Sequence, residues 1–532
     1  CQALALQNQM AFCSLHFPGI RIALQITLSR QNWPLTFFFK PRRRETIACK
    51  VGVLQELPIP PDMIFSSWQF ILLFLPVSFF VYFWLNRRRL IVAGKVWLVF
   101  ASLFFYAYWD VKYLPLILGS ILFNFAVGTG LAQAHRRSLG EVQGPRRMVG
   151  RKIVLATGVV ANLLLLGYYK YTDFLLANVN LVFATSYSLP HIVLPLAISF
   201  FTFTQIVYLV DSYRGETVEY DLLSYSLFVT FFPHLIAGPI VQHRQIMPQF
   251  ASRWTLGRRY TNILKGLFIL GIGLFKKVVI ADSFAVWATA GFDGGQALGF
   301  FAAWATSLSY TFQLYFDFSG YCDMAVGASL LFNIWLPMNF NSPYKALNIQ
   351  DFWRRWHITL SSFLRDYLYI PLGGNRYGEF RTCFNLFITF VLGGLWHGAT
   401  WMFIIWGAMH GCALVIQRFW KKLRRPLPPA LAWLVTFAFV NCAWVFFRAK
   451  TLDDALRVLR GMMDFRSAFG QDPAAIPASD LAWAGWFADI LLKWTPASLV
   501  GQVPAFLAII AAFVLIARKN SMEMASGVIG RG

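Results

Sequence analysis

The sequence predicts an all-α protein that crosses a membrane many times. Three observations carry that prediction. Hydrophobic residues make up 57% of the chain and charged residues only 13%, about half the usual charged share of a soluble domain. The mean hydropathy is +0.54. The apolar residues fall in long uncharged runs separated by short basic clusters, the pattern of a polytopic membrane protein.

The runs 63–86, 96–109, 113–134, 153–169, 192–210, 294–316, 426–447 and 494–517 are free of charge. Less regular apolar stretches lie at 222–242, 263–281 and 324–340. With ~20 apolar residues needed to cross the hydrocarbon core, these predict roughly nine to eleven membrane-embedded helices. The basic clusters set the orientation. Arg87, Arg88 and Arg89 close the first span, and Arg136, Arg137, Arg146, Arg147, Arg151 and Lys152 separate the third from the fourth. Both loops are expected on the cytoplasmic side. The net charge of +23 is distributed as the positive-inside rule distributes it, so a nucleic-acid partner is excluded and the lipid bilayer is the expected surrounding.

Residues 1–62 do not fit this topology. They carry seven basic and three acidic side chains, and placing that surplus outside opposes the charge bias. The segment also lacks the order of a signal peptide. It is expected to be a non-native or disordered extension, with translation beginning at Met63. The expected organisation is then 1–62 as extension, 63–462 as the membrane domain, and 463–532 as a loop and a C-terminal transmembrane helix. Seven cysteines are scattered without a CxxC pair, so neither a disulfide framework nor a metal site is expected.

Residues 345–381 combine charge and aromatics most densely. Trp353, Trp356, Leu360, Phe363, Leu364 and Tyr367 recur at helical spacing, which predicts an amphipathic helix at the cytoplasmic interface. His357 falls on its apolar face, and Arg354, Arg355 and Arg365 supply cationic edges. As spacing alone has it, His357 reads more readily as a packing residue.

Residues 382–417 then contain no charge. One helix of that length is about 54 Å, against a hydrocarbon core of about 30 Å. The run must tilt, project or break, and Gly393, Gly394 and Gly398 mark the expected break. His397 sits there. Non-helical backbone at membrane depth survives only inside protein or beside a wet cavity, and an ionisable group at such a place points to function. His410 lies 13 positions on, on a different helical face, and reads as packing. Asp317, within an apolar stretch, could orient a histidine or pair with Arg354 or Arg355.

The words DFWRRWHITLSSFLRDYLYIPLGGNR (351–376) and LGGLWHGATWMFIIWGAMHG (392–411) resemble the membrane-bound O-acyltransferase family. So do YFDFSGYCDMAVG, FPHLIAGPI, LPLAISFFTFTQIVYLVDSYRG and WVFFRAKTLDDALRVLRGM. The likeness is closer still to its bacterial branch, the membrane subunit of alginate O-acetyltransferases, and covers about Met63 to Met462. A small departure is Thr359, where relatives commonly carry serine. The resemblance implies a helical bundle around a central tunnel, with interfacial and re-entrant segments. It implies that His397 and His357 are the two catalytic histidines, in a bacterial inner-membrane enzyme. The donor would be cytoplasmic acetyl-CoA, with no cofactor bound. Acetyl would pass outward to a periplasmic or membrane-anchored acetyltransferase partner for an exported polysaccharide such as alginate. Cellulose, another exopolysaccharide or peptidoglycan are the alternative acceptors.

Under that reading His397 serves as general base, since histidine titrates near neutral pH. His357 orients the donor or polarises its carbonyl, and Arg354, Arg355 and Arg365 attract the coenzyme phosphates. The chain carries no GxSxG elbow of its own, which is why a partner is expected. A transporter is the rival class, but it would show paired broken helices, and only one such region is apparent.

Overall fold

The computed structural model describes residues 63–139, 145–217, 221–236, 238–469, 499 and 501–528. The expected extension at 1–62 lies outside the described residues, as does most of the loop expected after Met462. Helices account for all regular structure among the described residues.

A π-helical turn, Gln69–Phe74, leads into α1 (Leu75–Arg87). Then follow α2 (Ile91–Ala107), α3 (Leu114–Leu139), α4 (Pro145–Phe183) and α5 (Ile198–Arg214). The apolar stretch 222–242 is not one continuous helix. It forms α6 (Leu222–Thr230) and α7 (Phe232–Leu235), because Pro233 and Pro239 leave no room for a continuous helix. Next are α8 (His243–Ala251), α9 (Tyr260–Phe275), a π-helical segment at Lys276–Ala281, and α10 (Asp282–Asp293).

The two stretches expected at 294–316 and 324–340 form one helix, α11 (Phe300–Leu331). Its 32 residues are about 48 Å long. Asp317 and Asp323 do not interrupt it, because lysines meet both. Lys277 lies 3.2 Å from Asp317, and Lys276 lies 2.7 Å from Asp323. Both lysines sit on the π-helical segment, and a buried charge in this setting needs such a partner. Close approach of α9 and α11 rests on glycines. A Cβ on Gly273 would sit 2.6 Å from the Gly320 oxygen, and one on Gly266 would sit 2.7 Å from the Gly327 oxygen. Small residues let membrane helices pack in this way.

The amphipathic helix expected across 345–381 is broken. It divides into α12 (Ile349–Arg355), α13 (Ile358–Leu364) and a π-helical turn at Arg365–Tyr369. His357 forms the joint, in a left-handed conformation at φ 44°. The predicted inward face is correct, since Trp353, Trp356, Leu360, Phe363 and Leu364 are all buried.

The remaining helices are α14 (Gly378–His397), α15 (Trp401–Lys422), α16 (Pro429–Arg448), α17 (Leu452–Met462), α18 (Phe465–Phe469), α19 (Val503–Ala517) and α20 (Ser521–Val528). The long run 382–417 therefore breaks, as its length requires. By length and composition, five helices among the described residues can each cross a bilayer: Gln69–Arg87, Val111–Arg137, Val149–Phe183, Trp401–Lys422 and Pro429–Arg448. The pair Val503–Ala517 and Ser521–Gly527, bent by 51°, would make a sixth. The other elements are shorter or carry polar groups along their length. Phe513 of α19 packs against Phe312 and Phe437, with ring centroids 5.0 and 5.3 Å apart. Ser521 of α20 donates to Asp323 at 2.6 Å. The C-terminal helices thus belong to the same bundle.

A candidate acyl-transfer site at two helix breaks

His397 is the last residue of α14. The chain then turns through Gly398–Thr400 and returns as α15. A Cβ on Gly398 would fall 2.2 Å from the Phe403 ring, so any side chain there would have to displace that ring. Gly393 and Gly394, expected at the break, lie inside the helix. Gly394 serves the hairpin: a Cβ there would meet the Phe403 oxygen at 2.2 Å, and one on Gly407 would meet the Phe390 oxygen at 2.4 Å. The two backbones are in contact, which fixes where His397 emerges.

The helix end leaves carbonyls without an intrahelical partner. Two side chains of α4 take them. Tyr171 donates its hydroxyl to the Leu395 oxygen at 3.0 Å, and Lys170 donates to the Trp396 oxygen. Lys170 also reaches Ser199 of α5 at 3.2 Å and lies 5.5 Å from the Trp396 ring centroid. A cation at a helix C-terminus is favoured by the dipole.

The His397 ring is half-buried among Trp396, Trp406 and Phe447, at centroid distances of 5.0, 5.2 and 5.2 Å. His357 is 6.4 Å away, with the two imidazole planes at 61°. The structure therefore brings together the two histidines that the sequence singled out, across 40 positions of chain.

His357 is held by Asn339, on the irregular segment after α11. Its Nδ1 lies 3.1 Å from the Asn339 Oδ1. That oxygen also accepts from the backbone N–H and the hydroxyl of Thr359, at 3.2 and 3.0 Å. A backbone N–H can only donate, so Oδ1 is the acceptor and the His357 Nδ1 carries the proton. Its Nε2 then presents a lone pair. The Phe318 ring covers the imidazole at 4.8 Å.

The other expected site residues separate. Asp317 points at Lys277 and not at a histidine, Arg354 or Arg355. Arg355 is tied to Asp351 at 3.0 Å and Arg365 to Asp366 at 2.7 Å. Arg354 is exposed and has no carboxylate partner among the described residues. His410 is fully buried and accepts from the Trp353 indole at 3.2 Å, as a packing residue does. No group of three His, Cys, Asp or Glu side chains that could hold a metal occurs among the described residues. A concavity of about 360 Å³ opens elsewhere, at Arg253–Arg259. Its lining, Arg253, Trp254, Gly257, Arg258 and Arg259, contains neither histidine.

Lys170, Tyr171 and Asn339 escaped the sequence reading. Lys170 looked like the charge that ends the run 153–169, whereas α4 continues past it to Phe183.

The chain matches the description "MBOAT, membrane-bound O-acyltransferase family" over residues 211–452. It is 52% identical over 431 residues to the peptidoglycan O-acetyltransferase of Helicobacter pylori, covering 75% of this chain and 80% of that protein. It is 42% identical over 411 residues to the probable alginate O-acetylase AlgI of Pseudomonas aeruginosa, covering 76% and 75%. A teichoic acid D-alanyltransferase of Bacillus subtilis is 29% identical over 276 residues, covering 48% and 69%. The hairpin that carries His397 and the broken helix that carries His357 both lie inside the matched region, and the chain belongs to the membrane-bound O-acyltransferase family.

Proposed function

We propose that this multi-pass enzyme takes acetyl from cytoplasmic acetyl-CoA and passes it across the bacterial inner membrane for the O-acetylation of an exported glycan. The observation that carries the reading is the pair of imidazoles 6.4 Å apart at two backbone breaks in a membrane-embedded bundle. The donor is polyanionic and stays on the cytoplasmic side, while acetyl is small. A buried site at a helix break lets the two reactants meet from opposite faces.

His397 takes the proton of the acceptor hydroxyl as its oxygen attacks the thioester carbonyl carbon. The C–O bond forms, the C–S bond breaks, and the imidazolium returns the proton to the leaving thiolate. His357 cannot polarise the carbonyl in the tautomer that Asn339 sets, because its Nε2 lacks a proton. It acts as an acceptor, holding an N–H of His397 or an amide of the donor's arm. Arg354, exposed and without a carboxylate partner among the described residues, is the candidate for attracting donor phosphates. The polymer is reached through a periplasmic or membrane-anchored acetyltransferase partner.

The relatives' names support a glycan acceptor and divide over which one. Alginate follows from the sequence resemblance. The higher identity, 52% against 42%, favours peptidoglycan as a second reading. Ester-bound acetate measured on muropeptides and on secreted polymer, with and without the chain, tests this. Loss from one fraction alone names the acceptor, and no change in either contradicts the proposal.

A further inference from the structure

The stretch SRWTLGRRY (252–260) forms the joint between α8 and α9. Arg253, Trp254, Gly257, Arg258 and Arg259 line a concavity of about 360 Å³. Its frame is fixed by Asn333, whose amide donates to the carbonyl oxygens of Thr255 at 3.2 Å and Gly257 at 2.7 Å. The Arg259 guanidinium lies 4.2 Å from the Trp254 ring centroid. That of Arg258 lies 5.9 and 5.8 Å from the Phe79 and Phe80 rings of α1.

Three features meet at this place. None of its three guanidinium groups has a carboxylate partner among the described residues, whereas Arg244, Arg355, Arg365, Arg418 and Arg448 each have one. The N-terminus of α9 opens on the same spot, and its first turn has no side-chain cap. Its amide dipoles therefore add to the positive field. The concavity is also open at its floor, since a Cβ on Gly257 would meet nothing within 4 Å.

We propose that this concavity binds a phosphate oxyanion, supplied by the headgroup of an anionic phospholipid. The source follows from location. Trp254 and Tyr260 are 72% and 79% exposed, as interfacial aromatics are. Leu264 and Leu267 continue the exposed apolar face of α9. The charge bias puts this end of α9 at the cytoplasmic surface, where basic pockets between helices hold lipid headgroups.

The test uses the full chain in nanodiscs or detergent, with phosphatidylglycerol and phosphatidylcholine as probes, and native mass spectrometry of retained lipid. Wild type is expected to prefer phosphatidylglycerol by about a hundredfold, the factor that three cations near a bilayer supply. Gly257→Trp fills the space and keeps the charges. The triple variant Arg253→Gln, Arg258→Gln, Arg259→Gln keeps the space and removes the charges. The triple variant is expected to lose the preference, Gly257→Trp to reduce it by removing the seat while the diffuse attraction of the charges remains, and Arg258→Lys to keep most of it. No preference in wild type, or an undiminished one in either variant, overturns the proposal. Inorganic phosphate displacing bound phosphatidylglycerol at low millimolar concentration would assign the site to a soluble phosphate and overturn the lipid source.

Discussion

Asn339 decides what His357 can do. It fixes the Nδ1 proton and so makes Nε2 an acceptor. Asn339→Ala removes the hydrogen bond that orients His357, worth ~0.5–1.5 kcal/mol, together with the two that Thr359 makes to the same oxygen. Acetyl transfer is expected to fall by about tenfold or more, with the pH–rate profile altered because the tautomer is no longer set. An unchanged rate and profile would show that His357 needs no orientation. Lys170 acts one step further out, by holding the carbonyl of Trp396 beside His397. Lys170→Met keeps the stem and deletes the donor. It is expected to lower kcat more than KM, while Lys170→Arg restores part of the rate. Equal loss in both variants would mean that the lysine matters only for packing. Neither residue was legible in the sequence. A lysine after an apolar run looks like a span boundary, and an asparagine 18 positions from its histidine carries no periodic signal. His397 was legible, because a 36-residue uncharged run has to break and glycines showed where.

At the scale of elements, two expectations held in direction and failed in detail. The run 382–417 breaks at Gly398, one of the three glycines that marked the break, while Gly393 and Gly394 lie inside α14. Those two glycines follow a different constraint, the contact of α14 with its neighbours, which only the paired hairpin reveals. Gly394→Leu would drive a side chain into the Phe403 carbonyl 2.2 Å from its Cβ. Overpacking of this kind costs ~1–3 kcal/mol or more, so the melting temperature is expected to drop and activity with it. Full stability would contradict the close-packed hairpin. The interfacial helix at 345–381 kept its inward face but broke at His357. Periodicity reports which side is apolar, and cannot report a single left-handed residue that preserves the facing on both sides.

For the molecule as a whole, the composition and charge bias sufficed for a multi-pass bundle, and the reading erred where polar groups find partners within it. Asp317 and Asp323 looked like the end of one span and the start of another. Lys277 and Lys276 satisfy them from the π-helical segment, so α11 runs through. Asp317 is therefore a structural group. Asp317→Asn removes one member of a buried pair, a change that costs ~3–5 kcal/mol when the partner charge is left alone. Asp282 also meets Lys277, at 2.6 Å, so the loss is expected at or below the lower end of that range. Thermal stability should fall while the pH dependence of the remaining activity stays unchanged. A shifted pH profile would instead return Asp317 to the catalytic group.

The central claim is that His397 carries the proton in acetyl transfer. The direct measurement is thiol release from acetyl-CoA by the full chain in sealed vesicles, with donor on the cytoplasmic face and the partner acetyltransferase with its glycan on the other, for wild type and His397→Ala. The account predicts acceptor-dependent turnover in wild type and a loss of about 10²–10⁴-fold in the variant, with insertion and melting temperature retained. Wild-type turnover in a correctly inserted His397→Ala protein would contradict it.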